Sequence, residues 1–542
     1  MRTRCRLTTL LAVCGFLLGA CTNNFTDRVP DKPAQPIIIL YENDVHCAVD
    51  GYPALVSFRK EYLHQTEYVT TVSCGDFASG GLIGAVSKGE QIIEIMNYVG
   101  YDVVALGNHE LDYGVPQMFA LTEALNAPVV CANLKNVQTN TYPYPAYHII
   151  RYGEVDVAYI GFTTTTSGTA TALADEQGNP LYSFMRNEFY ENAQHFIDEA
   201  RKNGADYVIA LAHLGDSEKR GGHPNSIGLI SNTTGIDAVI DGHDHHQIIE
   251  RWVNNSEGKP VLITSSGTNF QNIGQLIINT DGSLQSSIIE ISNGTSITDS
   301  GTQQFIQQIK ETVGSQGNFV IGRSEVDLTI YDNDGNRTVR KQETNIGDFC
   351  ADAFRSFTNA DIALINGGGI RTDIKCGDIL FNDLYNVMPF GDMAATGTLT
   401  GAQLLDVLEF SVSVLPAETG TFMQVSGLCF EVNPNTPSAV VKDPETGAFL
   451  HIGDGERRVH NVKVLDRQSG EYKAVELSRQ YTIATLDYLI LEYGGSEILR
   501  CVKPDHIYWG ADIEVLRHYL ESDLGKIVGS EYSEPQGRIT IK

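Results

Sequence analysis

The chain has 542 residues, room for three or four ordinary domains or for two large α/β units. Its apolar share of 42% and its lack of long low-complexity tracts suit a globular protein with large cores. A formal net charge of −29 argues against a nucleic-acid polymer as partner, because phosphate backbones are held by basic surface; a small anion held by metal ions and a few arginines remains compatible with it.

The first twenty residues read as an address. Arg2, Arg4 and Arg6 form a basic start, and the apolar stretch Leu10–Leu18 is too short to span a bilayer, which takes ~20 helical residues. It runs into Leu17-Leu18-Gly19-Ala20-Cys21. This resembles the lipobox of bacterial lipoproteins, which implies cleavage before Cys21 and acylation of its thiol. An ordinary signal peptide that happens to hold a cysteine is the alternative. Either way the chain is expected to be exported. The lipoprotein alternative adds an anchor in the bacterial cell envelope, on the periplasmic face or the cell surface. Residues 21–35, with Pro30 and Pro33, read as a flexible tether. Seven cysteines lie beyond Cys21, an odd and widely spaced set, so no disulfide framework is expected.

Buried-strand patterns then recur at Ile37–Tyr41, Tyr68–Ser73, Asp102–Leu106, Val155–Ile160, Tyr207–Ala212, Ile236–Ile240 and Val261–Thr264. Helical patterns separate several of them: Glu90–Tyr98, Gln117–Leu125 and Asn187–Lys202. Alternating strands and helices predict an α/β domain over 36–293. The polar run Ile291–Thr302 and a short amphipathic helix at Gln303–Val313 predict a linker over 294–320. A second α/β region, 321–542, shows helices at Ile346–Phe357 and Gly401–Leu415. Its strands are expected at Ile362–Asn366, Val462–Leu465 and Tyr481–Thr485.

Five strand patterns of the first domain run directly into residues of metal-ligating type. These are Asn43, Asp44 and His46; Asp76; Gly107-Asn108-His109-Glu110; His213; and Asp241-Gly242-His243-Asp244-His245-His246. The carboxyl ends of strands gather at one edge of an open α/β sheet, so residues scattered over some 200 positions converge there. Carboxylate, amide and imidazole together suit zinc, manganese, iron or cobalt rather than calcium. A pair of such ions steadies both oxygens of an in-line displacement at phosphorus.

The order Asn-Asp-x-His, Gly-Asp, Gly-Asn-His-Glu, His, Gly-His-x-His resembles the calcineurin-like metallophosphatases. Asn366-Gly367-Gly368-Gly369-Ile370-Arg371 resembles the hallmark loop of the 5′-nucleotidase family, which includes bacterial UDP-sugar hydrolases. The resemblance implies a four-layer α/β/β/α metallophosphatase domain joined by a linker helix to a C-terminal α/β nucleotide-binding domain. It implies two divalent ions: one on Asp44, His46 and His245, one on Asn108, His213 and His243, with Asp76 bridging. His109 is similar to the family's catalytic histidine, and Asp112 would orient it. Arg340, Asn366, Gly368 and Arg371 would hold substrate, with Phe390 as one of two aromatics clamping the base. The second aromatic would be Tyr488 or Tyr493.

Three departures stand out. Cys47 follows His46 where glycine is usual. His245 stands where some members carry glutamine. Ser496 replaces an aspartate in the segment after Tyr488, so phosphate hydrolysis is a safer expectation than adenosine specificity. The implied activity is removal of phosphate from nucleoside 5′-monophosphates, with diphosphates or UDP-sugars as further substrates and an ion-activated water as nucleophile. The alternatives are a 2′,3′-cyclic phosphodiesterase/3′-nucleotidase and a nucleotide-capturing lipoprotein without turnover. No obligate protein partner is evident.

Overall fold

The computed structural model describes residues 31–542 apart from 166–172, 174–178, 217–222, 292–297, 333, 443–448, 492–496 and 507–509. Cys21, the rest of the expected signal segment and Tyr493 lie outside the described residues.

The N-terminal domain is built on two six-stranded sheets packed face to face. In the first, Ile37–Glu42, Val69–Ser73, Val103–Ala105 and Val129–Val130 run parallel in sequence order. Asn272–Ile278 and Leu284–Glu290 return from the far end of the domain to pair antiparallel beside Ile37–Glu42. In the second, Val155–Thr163, Tyr207–His213, Ala238–Ile240 and Pro260–Ser266 are parallel. Tyr147–Tyr152 and Gln247–Asn254 form its antiparallel edges.

Alternation along each strand explains the layering. Ile37, Ile39 and Tyr41 face the other sheet and pack with Val157, Tyr159, Ile209, Leu211 and Ile240. Ile38 and Leu40 point the other way, into a core shared with helices Tyr52–Leu63, Glu90–Val99 and Val115–Ala124. Val208 and Ala210 of the second sheet face helix Phe189–Lys202 through Phe189, Ala193 and Ile197. The strands are apolar on both faces because both faces are covered. The domain is therefore the expected α/β/β/α stack.

Helix Ser300–Gln316 occupies most of the expected linker and is longer than the periodic stretch of the sequence. Asp299 caps it by accepting from Thr302 N at 2.8 Å. Its apolar face is docked: Ile306, Ile309 and Val313 are buried in the core of the first domain.

The C-terminal domain centres on a five-stranded mixed sheet in the order Met423–Ser426, Ile362–Asn366, Gln480–Leu486, Ala394–Thr400, Lys503–His506. Helix Asn345–Thr358 packs across it. The expected helix from Gly401 stops at Ser411 rather than reaching Leu415. Beyond it, the carbonyls of Val412, Ser413 and Leu415 accept from the buried Arg458 guanidinium, so this stretch trades helical bonds for a tertiary partner. The two domains meet at helix Gly81–Ser87: Ala85 is buried in the core of the second domain, and Ile83 in that of the first. Among the described residues no helix is long and apolar enough to cross a membrane.

Candidate active site

The loops after five strands meet at one edge of the sandwich. Asp44 and His46 follow Ile37–Glu42, and Asp76 follows Val69–Ser73. Asn108 and His109 follow Val103–Ala105, His213 ends Tyr207–His213, and His243 and His245 follow Ala238–Ile240. Two groups of three form. Asp44, His46 and His245 bring ligand-type atoms within 4.8 Å of one another, as do Asp76, His213 and His243. His46, Asp76 and His109 make a third such group between them.

Individual distances show how tightly these side chains converge. His46 Nε2 and His245 Nε2 are 3.1 Å apart, and His245 Nε2 is 3.5 Å from Asp44 Oδ1. His213 Nε2 lies 2.9 Å from Asp76 Oδ2 and 3.7 Å from Asp44 Oδ1. The other nitrogen of His213 contacts the Cys74 carbonyl at 2.7 Å, which leaves Nε2 facing the centre. Both Asp44 oxygens accept from His243 N, at 3.0 and 2.9 Å. The backbone is strained to achieve this. Asp44, His46, Asp76, His243 and His245 all have φ between 45° and 86°. Each non-glycine residue held there costs about 1–3 kcal/mol, and such positions concentrate at functional sites.

The donor set fits divalent cations. Two carboxylates and four imidazoles face one another, with Asp44, Asp76, His213 and His243 buried and His46 and His245 half-buried, and Asn108 Oδ1 is buried without a hydrogen-bond partner. Two aligned imidazole nitrogens at 3.1 Å and an orphaned amide oxygen are what a cation-binding pocket presents.

His109 borders this centre. Its Nδ1 is 2.8 Å from Asp112 Oδ2 and its Nε2 is 4.0 Å from Asp76 Oδ2. Burial disfavours the charged ring, but Asp112 and then Asp76 outweigh it, and the pKa of His109 rises to about 10. Burial likewise opposes charge on His213, and Asp76 and Asp44 lift it to about 10. Burial, and then His245, hold His46 well below its ordinary value. Among the described residues Cys47 joins none of these ligand groups. It is buried, with Sγ 3.3 and 3.4 Å from the Phe77 and Ala78 carbonyls, and burial pushes its thiol up. Such a thiol behaves as a small packed residue.

The residues expected to hold substrate lie in the second domain. Arg340 Nη2 and Arg371 Nη1 both donate to the Gly368 carbonyl, at 3.4 and 3.1 Å. A side chain at Gly367 would place its Cβ 2.1 Å from the Val339 carbonyl, so this turn tolerates only glycine there. Asn366 ends its strand with Oδ1 buried and without a hydrogen-bond partner. The Arg371 guanidinium lies over the Phe390 ring at 5.6 Å, and that ring is 55% exposed. Tyr488 is 40% exposed. Gly391 abuts the Gly80–Gly81 backbone, and Gly80 in turn abuts His46, so the Phe390 loop reaches the metal-type cluster.

Asn43 and Asp241, grouped in the sequence with the ligand-type residues, act instead as braces, and Asp487 is a further contributor. Asn43 braces Asp44 through Nδ2 to Oδ2 at 2.7 Å while its Oδ1 accepts from Ser266. Asp241 accepts from the amides of Leu214, Gly215 and Gly242. One oxygen of Asp487 accepts from Met393 N at 2.9 Å and Tyr488 N at 2.7 Å, tying the Phe390 loop to Tyr488. Of these three only Asp487 was not among the candidates, and its one sequence signal is adjacency to Tyr488. A further acidic group, Asp216, Asp244 and His246, stands beside the cluster, with Arg251 paired to Asp216 at 3.1 Å.

Residues 38–247 match the family model described as calcineurin-like phosphoesterase, and residues 320–500 match 5′-nucleotidase, C-terminal domain. The chain is 26% identical to a 5′-nucleotidase of Vibrio parahaemolyticus, over 87% of this chain and 84% of that protein. It is 26% identical to the trifunctional nucleotide phosphoesterase protein of Bacillus subtilis over 95% of this chain, and it spans only 36% of that longer protein. In fold it is similar to the NAD nucleotidase of Haemophilus influenzae, with a TM-score of 0.67 at 18% identity, covering 94% of this chain and 99% of that one.

Proposed function

Because this chain belongs to the family that joins a calcineurin-like phosphoesterase domain to a 5′-nucleotidase C-terminal domain, we propose that it is a metal-dependent phosphoric ester hydrolase acting on nucleoside 5′-monophosphates. One observation carries this reading: two three-residue ligand groups and the His109–Asp112 pair share one buried edge, beside the Phe390 loop of the other domain. Asp44, His46 and His245 would hold one divalent ion, and Asn108, His213 and His243 a second, with Asp76 between them. Zinc, manganese, cobalt and iron all suit these donors. When bound, the ions supply Lewis-acid stabilisation of phosphoryl oxygens and a water of lowered pKa.

The protein groups have distinct tasks. His109 presents Nε2 toward the cluster with Asp112 fixing its other nitrogen, so a protonated ring places positive charge where the phosphoryl oxygens gain negative charge. Arg340 and Arg371 flank the Gly367–Gly369 turn and would hold an anionic group. The exposed Phe390 face would stack on a base. Tyr488, tied to the same loop through Asp487, would complete the clamp.

Phosphate release from AMP, other nucleoside monophosphates, UDP-glucose, a dinucleotide and 2′,3′-cyclic AMP, with manganese or zinc, tests this. Fastest release from a 5′-monophosphate supports the proposal, and no release from any of them sinks it. The names of the relatives span 5′-nucleotidase, NAD nucleotidase and trifunctional phosphoesterase, which is why the panel includes diphosphate bonds and cyclic esters. The second reading, capture without turnover, is disfavoured by the 2.8 Å His109–Asp112 contact, an arrangement that binding alone does not require. An exported chain held to the envelope through Cys21 completes the proposal. Metabolic labelling with a fatty acid, lost in Cys21→Ser, checks it.

A further inference from the structure

Glu110 is almost wholly buried and touches no substrate-type residue, yet its carboxylate is saturated with backbone donors. Oε2 accepts from Gly107 N at 2.6 Å and Asp76 N at 3.0 Å. Oε1 accepts from Phe77 N at 2.8 Å and Ala78 N at 3.1 Å. The four donors come from two separate loops, those that follow the parallel neighbours Val69–Ser73 and Val103–Ala105. One loop carries Asp76 and the other carries Asn108 and His109.

The loops are in close contact at this point. A Cβ at Gly107 would fall 2.1 Å from Asp76 Oδ1, and that same oxygen accepts from His109 N at 2.8 Å. Asp76 holds a left-handed backbone, φ 59°, a conformation that aspartate enters more readily than most residues but still at a cost. A single carboxylate thus staples together the two loops that place Asp76, Asn108 and His109.

We propose that Glu110 is the positioning residue of this centre, setting the separation of Asp76 from Asn108 and His109 and thereby both cation retention and turnover. The proposal rests on the phosphohydrolase reading above. Glutamine is nearly isosteric, but its NH2 group faces two N–H donors instead of accepting from them. Glu110→Gln therefore opens one side of the staple. Glu409 supplies a matched control in the other domain. It too is buried and accepts three backbone amides, from Ala439, Arg458 and Val459, without bordering the cluster.

The experiment compares full-length wild type, Glu110→Gln and Glu409→Gln after manganese or zinc loading. Elemental analysis along a chelator titration is read beside kcat and KM for AMP. The expected result for Glu110→Gln is release of metal at about 10–100-fold lower chelator concentration and a kcat lowered by a similar factor. KM should stay within about twofold, since the substrate residues sit on the other domain, and Glu409→Gln should retain metal and kcat. Equal metal retention and kcat in Glu110→Gln and wild type overturns the proposal, as does an equal loss in both variants, the mark of a general folding defect. Wild type that binds no metal fails the function reading instead. If Glu110→Gln does not fold, amide exchange in metal-free wild type decides. Amides of 76–78 and Gly107 exchanging as slowly as those of the central strands support the staple, and exchange as fast as in exposed loops overturns it.

Discussion

His109 Nδ1 stands 2.8 Å from Asp112 Oδ2, while Nε2 of the same ring faces Asp76 Oδ2 at 4.0 Å. One carboxylate fixes the orientation of the ring and the other belongs to the metal-type cluster. Asp112 is also the largest influence raising the His109 pKa toward its value of about 10. Asp112→Asn removes that negative charge, so the imidazolium becomes easier to deprotonate. With the protonated ring required for turnover, the alkaline limb of the pH–rate profile moves to lower pH. At neutral pH, kcat falls about 10–100-fold with KM for AMP little changed. Steady-state kinetics from pH 6 to 10 check both the shift and its direction.

Chelation should abolish phosphate release, and addition of manganese, zinc or cobalt should restore it. Bound cations should also stabilise the fold, because Asp44 and Asp76 are buried beside each other and their charges oppose one another. A ligand at 100 times its Kd adds about 2.7 kcal/mol. Calorimetry should therefore give a lower midpoint for the metal-free protein, and elemental analysis two ions per chain after loading.

Phe390→Ala separates base recognition from chemistry. Stacking on an aromatic ring contributes about 1–3 kcal/mol per base. The variant should lose roughly 5–150-fold in kcat/KM on AMP and far less on p-nitrophenyl phosphate, which has no base. Equal losses on both substrates would place Phe390 outside the base site. Arg371→Ala, which removes a proposed anion-holding group as well as the cation over the Phe390 ring, is expected to lower kcat/KM on both substrates.

Arg538→Ala tests the second domain. The guanidinium is buried, 2.8 Å from Asp352 Oδ2 and 3.5 Å from Asp348 Oδ1, and also donates to the Val425 carbonyl. It joins the last strand, Ile539–Ile541, to helix Asn345–Thr358. Breaking such a pair leaves buried carboxylates without a counter-charge and costs about 3–5 kcal/mol. A lower urea midpoint, with metal binding retained in the folded protein, is the expected outcome.

Much of the N-terminal domain was legible because strand periodicity is local. Ile37–Glu42, Val69–Ser73, Tyr207–His213 and Pro260–Ser266 lie within a residue or two of their apolar runs. The outer strands were not. Gln247–Asn254 is mostly exposed, and Leu284–Glu290 mixes serine with isoleucine, so neither presents the apolar run of a doubly covered strand. The extent of helix Ser300–Gln316 was also hidden, because its first and last turns are polar and its apolar face finds its partner only in the other helices of the domain.

The amino-acid sequence by itself determined the alternation of strands and helices, the placing of ligand-type residues directly after strands, and the family resemblance those residues carry. All three are properties of neighbouring residues. Tertiary structure alone decided that Asp44 packs against His245, that Asp487 ties the Phe390 loop to Tyr488, and that four amides of two loops converge on Glu110. Those contacts depend on how the strands pair, and around Asp487 and Glu110 the donors are backbone N–H groups, which every residue except proline carries and no sequence pattern marks.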